Sequence, residues 1–360
     1  MYLDKVVVVD VATSLGSNNL LFKREAAGNA RHGWAMCYLY EECLKRRIQL
    51  LTTDLYFSLR PKIKKAILWR NATINSSADA VIGAGAYPAI IMGFEYPLYA
   101  CDFYWNLKRH TAPYDYTLMP KGAKPFVSPK TKFRTFISPQ PYPLGSRVES
   151  NFKNRKFLTM ISSNSRIHPL RRLYVTVANF IKPLPTLVNR ELYLDRLEAL
   201  CHFAKNPDFD FYGYGWDKPA RLFIWEPNKK QIREAVSRTW RGSPDDKFPV
   251  LQQYKFSICF ENAIFSGWIT EKIIDSLLAG CIPIYFGAPD VTDFIPEGTF
   301  IDFRKFKNYT DLDHYLRNID EKTYNQYIER INLFVSSNAF YLFTQEKFAA
   351  EMIELFESYF

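Results

Sequence analysis

The stretch Tyr254–Gly287, YKFSICFENAIFSGWITEKIIDSLLAGCIPIYFG, constrains the fold more than any other part of the chain. Lys255–Phe260 is a short apolar run with the composition of a strand. Thr270 suits an N-cap, Ile273, Ile274, Leu277 and Leu278 fall on one helical face, and Gly280 stops the helix. Cys281–Phe286 supplies a second buried strand. Two parallel strands joined by a helix place their loops at the carboxyl ends, where open α/β sheets bind ligands. The loop Glu261–Ile269 and the helix start at Thr270 are therefore expected to line a site.

The first turn of that helix offers unpaired N–H groups and the positive end of the helix dipole, and Lys272 adds a full charge. Together they suit a phosphate or diphosphate. Glu271 would repel a phosphate unless it turns aside, for example towards sugar hydroxyls. An isolated Thr-Glu-Lys is usually an ordinary capped turn, so the weight rests on the longer string around it.

The 360 residues are comfortable for two domains, divided here at 1–145 and 146–360. With 48% hydrophobic residues the chain can bury a sizeable core, which excludes wholesale disorder. A net charge of +10 calls for an anionic partner, and nucleic acid, an anionic membrane or a nucleotide diphosphate all satisfy it. Six scattered cysteines without a CxxC pair read as reduced core residues. The five histidines show no metal-ligand spacing. Asp10 interrupts the apolar run from Val6, so no membrane span or signal peptide is read there. The expectation is a cytoplasmic chain, with room for peripheral attachment to a membrane through its basic surface.

In the first half, Val6–Val11, Ile48–Leu51, Ala80–Ile82 and Ala89–Met92 are strand candidates and Gly33–Arg46 is a helix. No GxGxxG or GxxxxGK[ST] follows any of these strands. Glu95 follows Ala89–Met92 in a turn bounded by Gly93 and Pro97, where partial desolvation would raise a carboxyl towards the range useful to a general base. Lys108–Ser146, rich in Pro and Lys, reads as an irregular interdomain passage. In the second half, Lys156–Ser162 is a strand, Val188–Phe203 an amphipathic helix beginning near Arg190, and Phe209–Gly215 a strand and turn. Trp225–Phe248 reads as a charged surface excursion, and Leu312–Phe360 as helices. Arg190 stands where a cation could meet an anion, with Arg166 and Arg171 as rivals.

Tyr254-Lys255-Phe256, Phe260-Glu261-Asn262, Trp268-Ile269-Thr270-Glu271-Lys272, Ile282-Pro283-Ile284-Tyr285-Phe286-Gly287 and Asp293-Phe294-Ile295-Pro296 resemble the donor-binding signature of the α-1,3/α-1,4-fucosyltransferases, glycosyltransferase family 10. The resemblance implies an α/β fold of two Rossmann-like domains facing a cleft, the GT-B arrangement. It implies inverting transfer of L-fucose from GDP-fucose to a hydroxyl of a glycan acceptor, O3 of a GlcNAc or Glc-type residue being the expected position. Glu95 resembles the family's base, with Asp102 and Glu41 as outside candidates. Arg190 and Lys272 would neutralise the diphosphate, Glu271 would bind the ribose, Trp268 would cover part of the nucleotide, and Glu261 and Asn262 complete the donor motif. Trp268 stands where the family commonly has Tyr, and Ala263 where it usually has Ser or Thr.

No metal is demanded by the sequence, which leaves room for stimulation by Mn or Mg. A GT-B enzyme using another nucleotide sugar is the nearer alternative, and a non-enzymatic binder of nucleic acid or membrane the distant one. Against the binder, Lys and Arg are spread along the chain and no RNA-binding signature appears, so no nucleic-acid partner is expected.

Overall fold

A computed structural model of the chain describes residues 3–11, 15–27, 31–71, 76–93, 95, 97, 100–141, 148–164, 173, 177, 190–217 and 228–360. The apolar run at the N-terminus forms β1 (Val6–Asp10), in which Val6–Val9 are wholly buried. A strand with both faces covered is what an unbroken valine run predicts. β2 (Gln49–Thr52), β3 (Ala66–Arg70), β4 (Tyr87–Met92), β5 (Tyr116–Met119) and β6 (Lys132–Thr135) join it in one parallel sheet of order β2-β1-β3-β4-β5-β6.

The second half repeats the plan with β7 (Lys156–Ile161), β8 (Arg190–Glu191), β9 (Phe209–Tyr212), β10 (Tyr254–Phe260), β11 (Ala263–Ile264), β12 (Ile282–Phe286) and β13 (Ile301–Asp302). Five of them form a parallel sheet of order β13-β12-β10-β7-β9, while β8 and β11 pair as a small antiparallel ribbon. Two all-parallel sheets, each with its own apolar core, give the α/β class and the two Rossmann-like units expected.

The helix between β10 and β12 spans Glu271–Leu278, and the Thr270 side chain caps it by accepting from the Lys272 N–H. Ile273, Ile274 and Leu277 are buried on the sheet. Gly280 follows at φ +67°, and a Cβ there would stand 2.9 Å from the Glu149 carbonyl oxygen, so both conformation and space require glycine.

Four sequence expectations change. Ala80–Ile82 lies in a helix, Ala78–Gly83, because Ala78 and Val81, three positions apart, are the residues that bury. The passage 108–146 is largely ordered: a helix at Leu107–Thr111, β5, a 3-10 segment at Lys121–Phe126 and β6 occupy it, and Pro113, Pro120 and Pro129 fall in the connections. The boundary expected at 145 falls outside the described residues. The helix expected from Val188 begins at Tyr193; Arg190 and Glu191 are instead extended, their backbones paired with Ile264 and Ala263. The described part of Trp225–Phe248 contains the helix Lys229–Thr239, which buries Ile232, Ala235 and Thr239, and the start of a second, Lys247–Leu251.

The last helix, Gln345–Glu357, crosses back to the first sheet, where the rings of Phe348 and Phe356 pack tilted against Trp69 at 6.4 and 5.9 Å between centroids. Cys37, Cys43, Cys101, Cys259 and Cys281 are buried free thiols. Among the described residues no helix is long and apolar enough to cross a membrane.

Candidate functional site

A cavity of about 360 Å³ opens at the carboxyl ends of β7, β9 and β10. Its walls are Ser162 and Ser163 after β7, Gly213 and Tyr214 after β9, Asn262 after β10, and Glu271, Lys272 and Asp275 from the helix. Tyr193, Arg196 and Lys247 close it.

Glu261 lies at the end of β10 with no exposed surface. Its carboxylate accepts from the Thr270 N–H at 2.9 Å, from the Thr270 hydroxyl at 2.9 and 3.0 Å, and from Lys272 Nζ at 3.2 Å. A buried carboxylate is tolerable because these donors surround it, and the effect is to fix both the helix cap and the lysine head. Lys272 Nζ also lies 3.7 Å from Glu271 Oε1, and Glu271 Oε1 lies 3.5 Å from Lys247 Nζ. Lys247 Nζ reaches Asp275 Oδ2 at 3.0 Å, completing a row of alternating charges. Burial pulls the Lys247 ammonium down, but Glu271 and Asp275 outweigh it and hold the group above the usual lysine range.

Arg196 projects from the helix Tyr193–Phe203 beneath the same loop. Its Nε and Nη2 donate to the Phe260 carbonyl at 3.1 and 2.7 Å, and Nη2 donates to Asn262 Oδ1 at 2.8 Å. The guanidinium thus fixes the strand end and the Asn262 amide while bordering the cavity.

Of the residues expected from sequence, Asn262, Glu271 and Lys272 meet on this cavity, with Glu261 buried behind Lys272. Trp268 packs tilted against Phe265, 6.4 Å between centroids, beside the apolar cluster of the first sheet, and does not border the cavity. Its direction follows from the turn at Ser266 and Gly267, which Asp290 holds by accepting from the Ser266 hydroxyl and the Gly267 N–H. Arg190 is placed by its backbone in β8, paired with Ile264 in the loop Glu261–Ile269. Arg166 and Arg171 lie outside the described residues.

Glu95 sits beyond the carboxyl end of β4, in the other half of the molecule. Burial pushes its carboxyl above the ordinary glutamate value of 4.5. The Tyr104 hydroxyl donates to the Glu95 carbonyl at 2.9 Å, and the Tyr104 ring meets Phe265 edge-on at 6.5 Å. Glu95 is therefore tied to the loop Glu261–Ile269 through one tyrosine and one phenylalanine. Gly122 N–H to the Ser266 carbonyl at 3.0 Å, and Lys121 Nζ to Asp293 Oδ2 at 2.7 Å, strengthen the same seam. Asp102 is exposed, and Glu41 lies 4.0 Å from Arg24 on the helix Arg31–Lys45.

Arg196, Lys247 and Asp275 escaped the sequence reading. Arg196 follows Tyr193 by three positions, so it shares that residue's helical face, and this spacing was the available signal. Lys247 lies in the passage read as a surface excursion, and nothing local marks it. Among the described residues no group of three His, Cys, Asp or Glu side chains forms a metal-ion cluster.

Residues 226–348 match the model of the glycosyltransferase family 10 (fucosyltransferase) C-terminal region. The chain is 40% identical over 84 residues to the alpha-(1,3)-fucosyltransferase FucT of Helicobacter pylori, a stretch covering 23% of this chain and 17% of that protein. It is 35% identical over 103 residues to the GDP-fucose protein O-fucosyltransferase 3 of Homo sapiens, covering 28% and 22%. The match thus spans less than a quarter of the length of either relative. Among solved structures, Anabaena HepE in complex with UDP shares the fold at a TM-score of 0.55 and 12% identity, over 98% of this chain and 100% of that one. The matched segment contains Lys247, Asn262, Glu271, Lys272 and the β10-helix-β12 unit that carries the cavity, so it is this part of the chain that is similar to glycosyltransferase family 10.

Proposed function

We propose that the chain transfers L-fucose from GDP-fucose to a hydroxyl of a glycan acceptor, with inversion at C1, and that O3 of a GlcNAc or Glc-type residue is the hydroxyl used. The observation that carries this reading is the cavity at the helix start, where Lys272 is fixed by Glu261 and flanked by Glu271, within the family-matched segment. A diphosphate there meets the helix N-terminus, Lys272 and Arg196, with Arg190 close in sequence. Glu271, 3.5 Å from Lys247, accepts from the ribose hydroxyls in this reading.

The reaction needs one base and one electrostatic sink. Glu95, as carboxylate, takes the proton of the acceptor hydroxyl while that oxygen forms its bond to fucose C1. The C1–O bond to the diphosphate breaks on the opposite face, and its electron pair leaves with GDP, where the cations stabilise the charge. The raised Glu95 carboxyl and its tie to the donor loop support this assignment. The first half, 1–145, would hold the acceptor and the second, 146–360, the donor. No step requires a metal.

Calorimetry with GDP, UDP, ADP and CDP tests the donor site, repeated on Lys272→Ala. The expected result is selective GDP binding that weakens at least tenfold in the variant, the loss of one charge-assisted contact. Preference for UDP, or no binding at all, would remove the fucosyltransfer reading.

A further inference from the structure

Lys247 and Asp275 come from different elements, and neither has a part in the donor reading beyond the charge row. Lys247 opens the helix Lys247–Leu251, and Asp275 lies one turn after Glu271 on the helix Glu271–Leu278. Their charged atoms are 3.0 Å apart, and both residues border the donor cavity. Asp275 is held deep, its side chain 5% exposed, whereas Lys247 is 39% exposed. Four residues of helix advance roughly 6 Å along the axis. A nucleotide with its diphosphate at Lys272 and its ribose at Glu271 therefore has the Lys247–Asp275 pair within reach of its base.

The pair presents a strong donor beside a strong acceptor, already fixed by each other. Guanine presents the complement in a row: the O6 acceptor, the N1–H donor and the 2-amino donor. Adenine offers a donor and then an acceptor on its corresponding edge, the reverse order. Uracil matches at its first two groups but places a carbonyl, O2, where guanine has its amino group, and that carbonyl would face the carboxylate. A site that leaves a buried polar group unpaired rejects the wrong ligand strongly.

We propose that Lys247 and Asp275 read the guanine edge of the donor nucleotide, Lys247 Nζ donating to O6 and the Asp275 carboxylate accepting from N1–H and the 2-amino group. This inference rests on the GDP-sugar reading above. It makes Asp275 the residue that separates guanine from uracil in a fold that also accommodates uridine nucleotides.

The test is calorimetry of the full chain with GDP, inosine diphosphate, which lacks only the 2-amino group, and xanthosine diphosphate, which has a carbonyl there. Wild type is expected to bind GDP about tenfold or more tightly than inosine diphosphate. Asp275→Asn, which offers an amide N–H to the xanthine carbonyl, is expected to lose GDP affinity and gain xanthosine diphosphate affinity, so that the preference reverses. Equal affinity of wild type for GDP and inosine diphosphate overturns the inference, and that comparison needs no variant to fold. An unchanged ratio of GDP to xanthosine diphosphate in Asp275→Asn overturns it as well. If wild type fails to bind GDP, the donor reading falls and this inference falls with it. GDP selectivity over UDP and ADP with no discrimination against inosine diphosphate defeats this inference alone.

Discussion

As the proposed general base, Glu95 would carry two opposed demands, since a base must ionise while burial favours the protonated form of its carboxyl. The folded chain holds this proton more tightly than the unfolded chain does. Its contribution to stability is therefore full below the unfolded value and is lost as pH rises through the raised folded value. At neutral pH the ionised carboxylate is a cost to the fold, and Glu95→Gln should be at least as stable as wild type while keeping GDP affinity and losing transfer. The wild-type rate should fall on its acid side with a midpoint above 4.5, the ordinary glutamate value. A pH–rate profile with matched thermal unfolding of both proteins checks this, and near-normal turnover in Glu95→Gln would end the assignment. The places of Glu95 after a strand and of Lys272 in the first turn of a helix were legible in the sequence because Gly, Pro or Thr marks each of those ends. Glu261 was legible as part of the motif, but its depth was not, because wholly buried carboxylates are rare and only the tertiary partners Thr270 and Lys272 make one acceptable. Arg196 was hidden because its partners, Phe260 and Asn262, are more than sixty positions away.

At the scale of elements, the cavity depends on how closely β7 and β9 end together. Gly213 has φ +146°, and a Cβ added there would lie 1.9 Å from the Ser162 carbonyl oxygen. That oxygen also accepts from Trp216 Nε1 at 2.7 Å, so it cannot move without breaking a second contact. Gly213→Ala should cost about 1–3 kcal/mol through forced backbone shifts. Because Ser162 and Gly213 both line the cavity, GDP affinity should fall with it. Thermal unfolding and calorimetry on the variant read both effects, and wild-type values in both would show that the wall tolerates the shift. The β10-helix-β12 unit was readable from sequence because its cap, its apolar face and its terminating glycine are all local. The start expected at Val188 was misplaced for the opposite reason: the pattern of apolar residues is helical through Leu192, but pairing with Ile264 and Ala263 holds Arg190 and Glu191 extended. Ala78–Gly83 was misread in the same way, since a short apolar run does not distinguish strand from helix until its neighbours choose.

Across the whole molecule, the chain does not finish in the half where its sequence places it. Gln140 N–H donates to the Phe343 carbonyl at 2.7 Å and Gln345 N–H to the Gln140 carbonyl at 3.0 Å, and the helix Gln345–Glu357 then runs onto the first sheet. Phe348, Met352 and Phe356 fill the layer over Trp69, and Arg134 meets Glu351 and Glu354 at 3.6 and 3.1 Å on the rim. Nothing in the last fifty residues marks this destination, because an amphipathic helix shows that it has an apolar face but not which sheet will cover it. The consequence is that the first half completes its core only when the last residues arrive. Phe356→Ala opens a cavity against a fully buried Trp69 and should cost about 3–5 kcal/mol. Amide exchange should then accelerate in Val6–Asp10 and Ala66–Arg70, which are far in sequence but packed beneath the substitution. If exchange quickened instead in Tyr254–Phe260 and Ile282–Phe286 while β1 and β3 stayed protected, the terminal helix would belong energetically to the second sheet, and the packing over Trp69 would be incidental to the stability of the first.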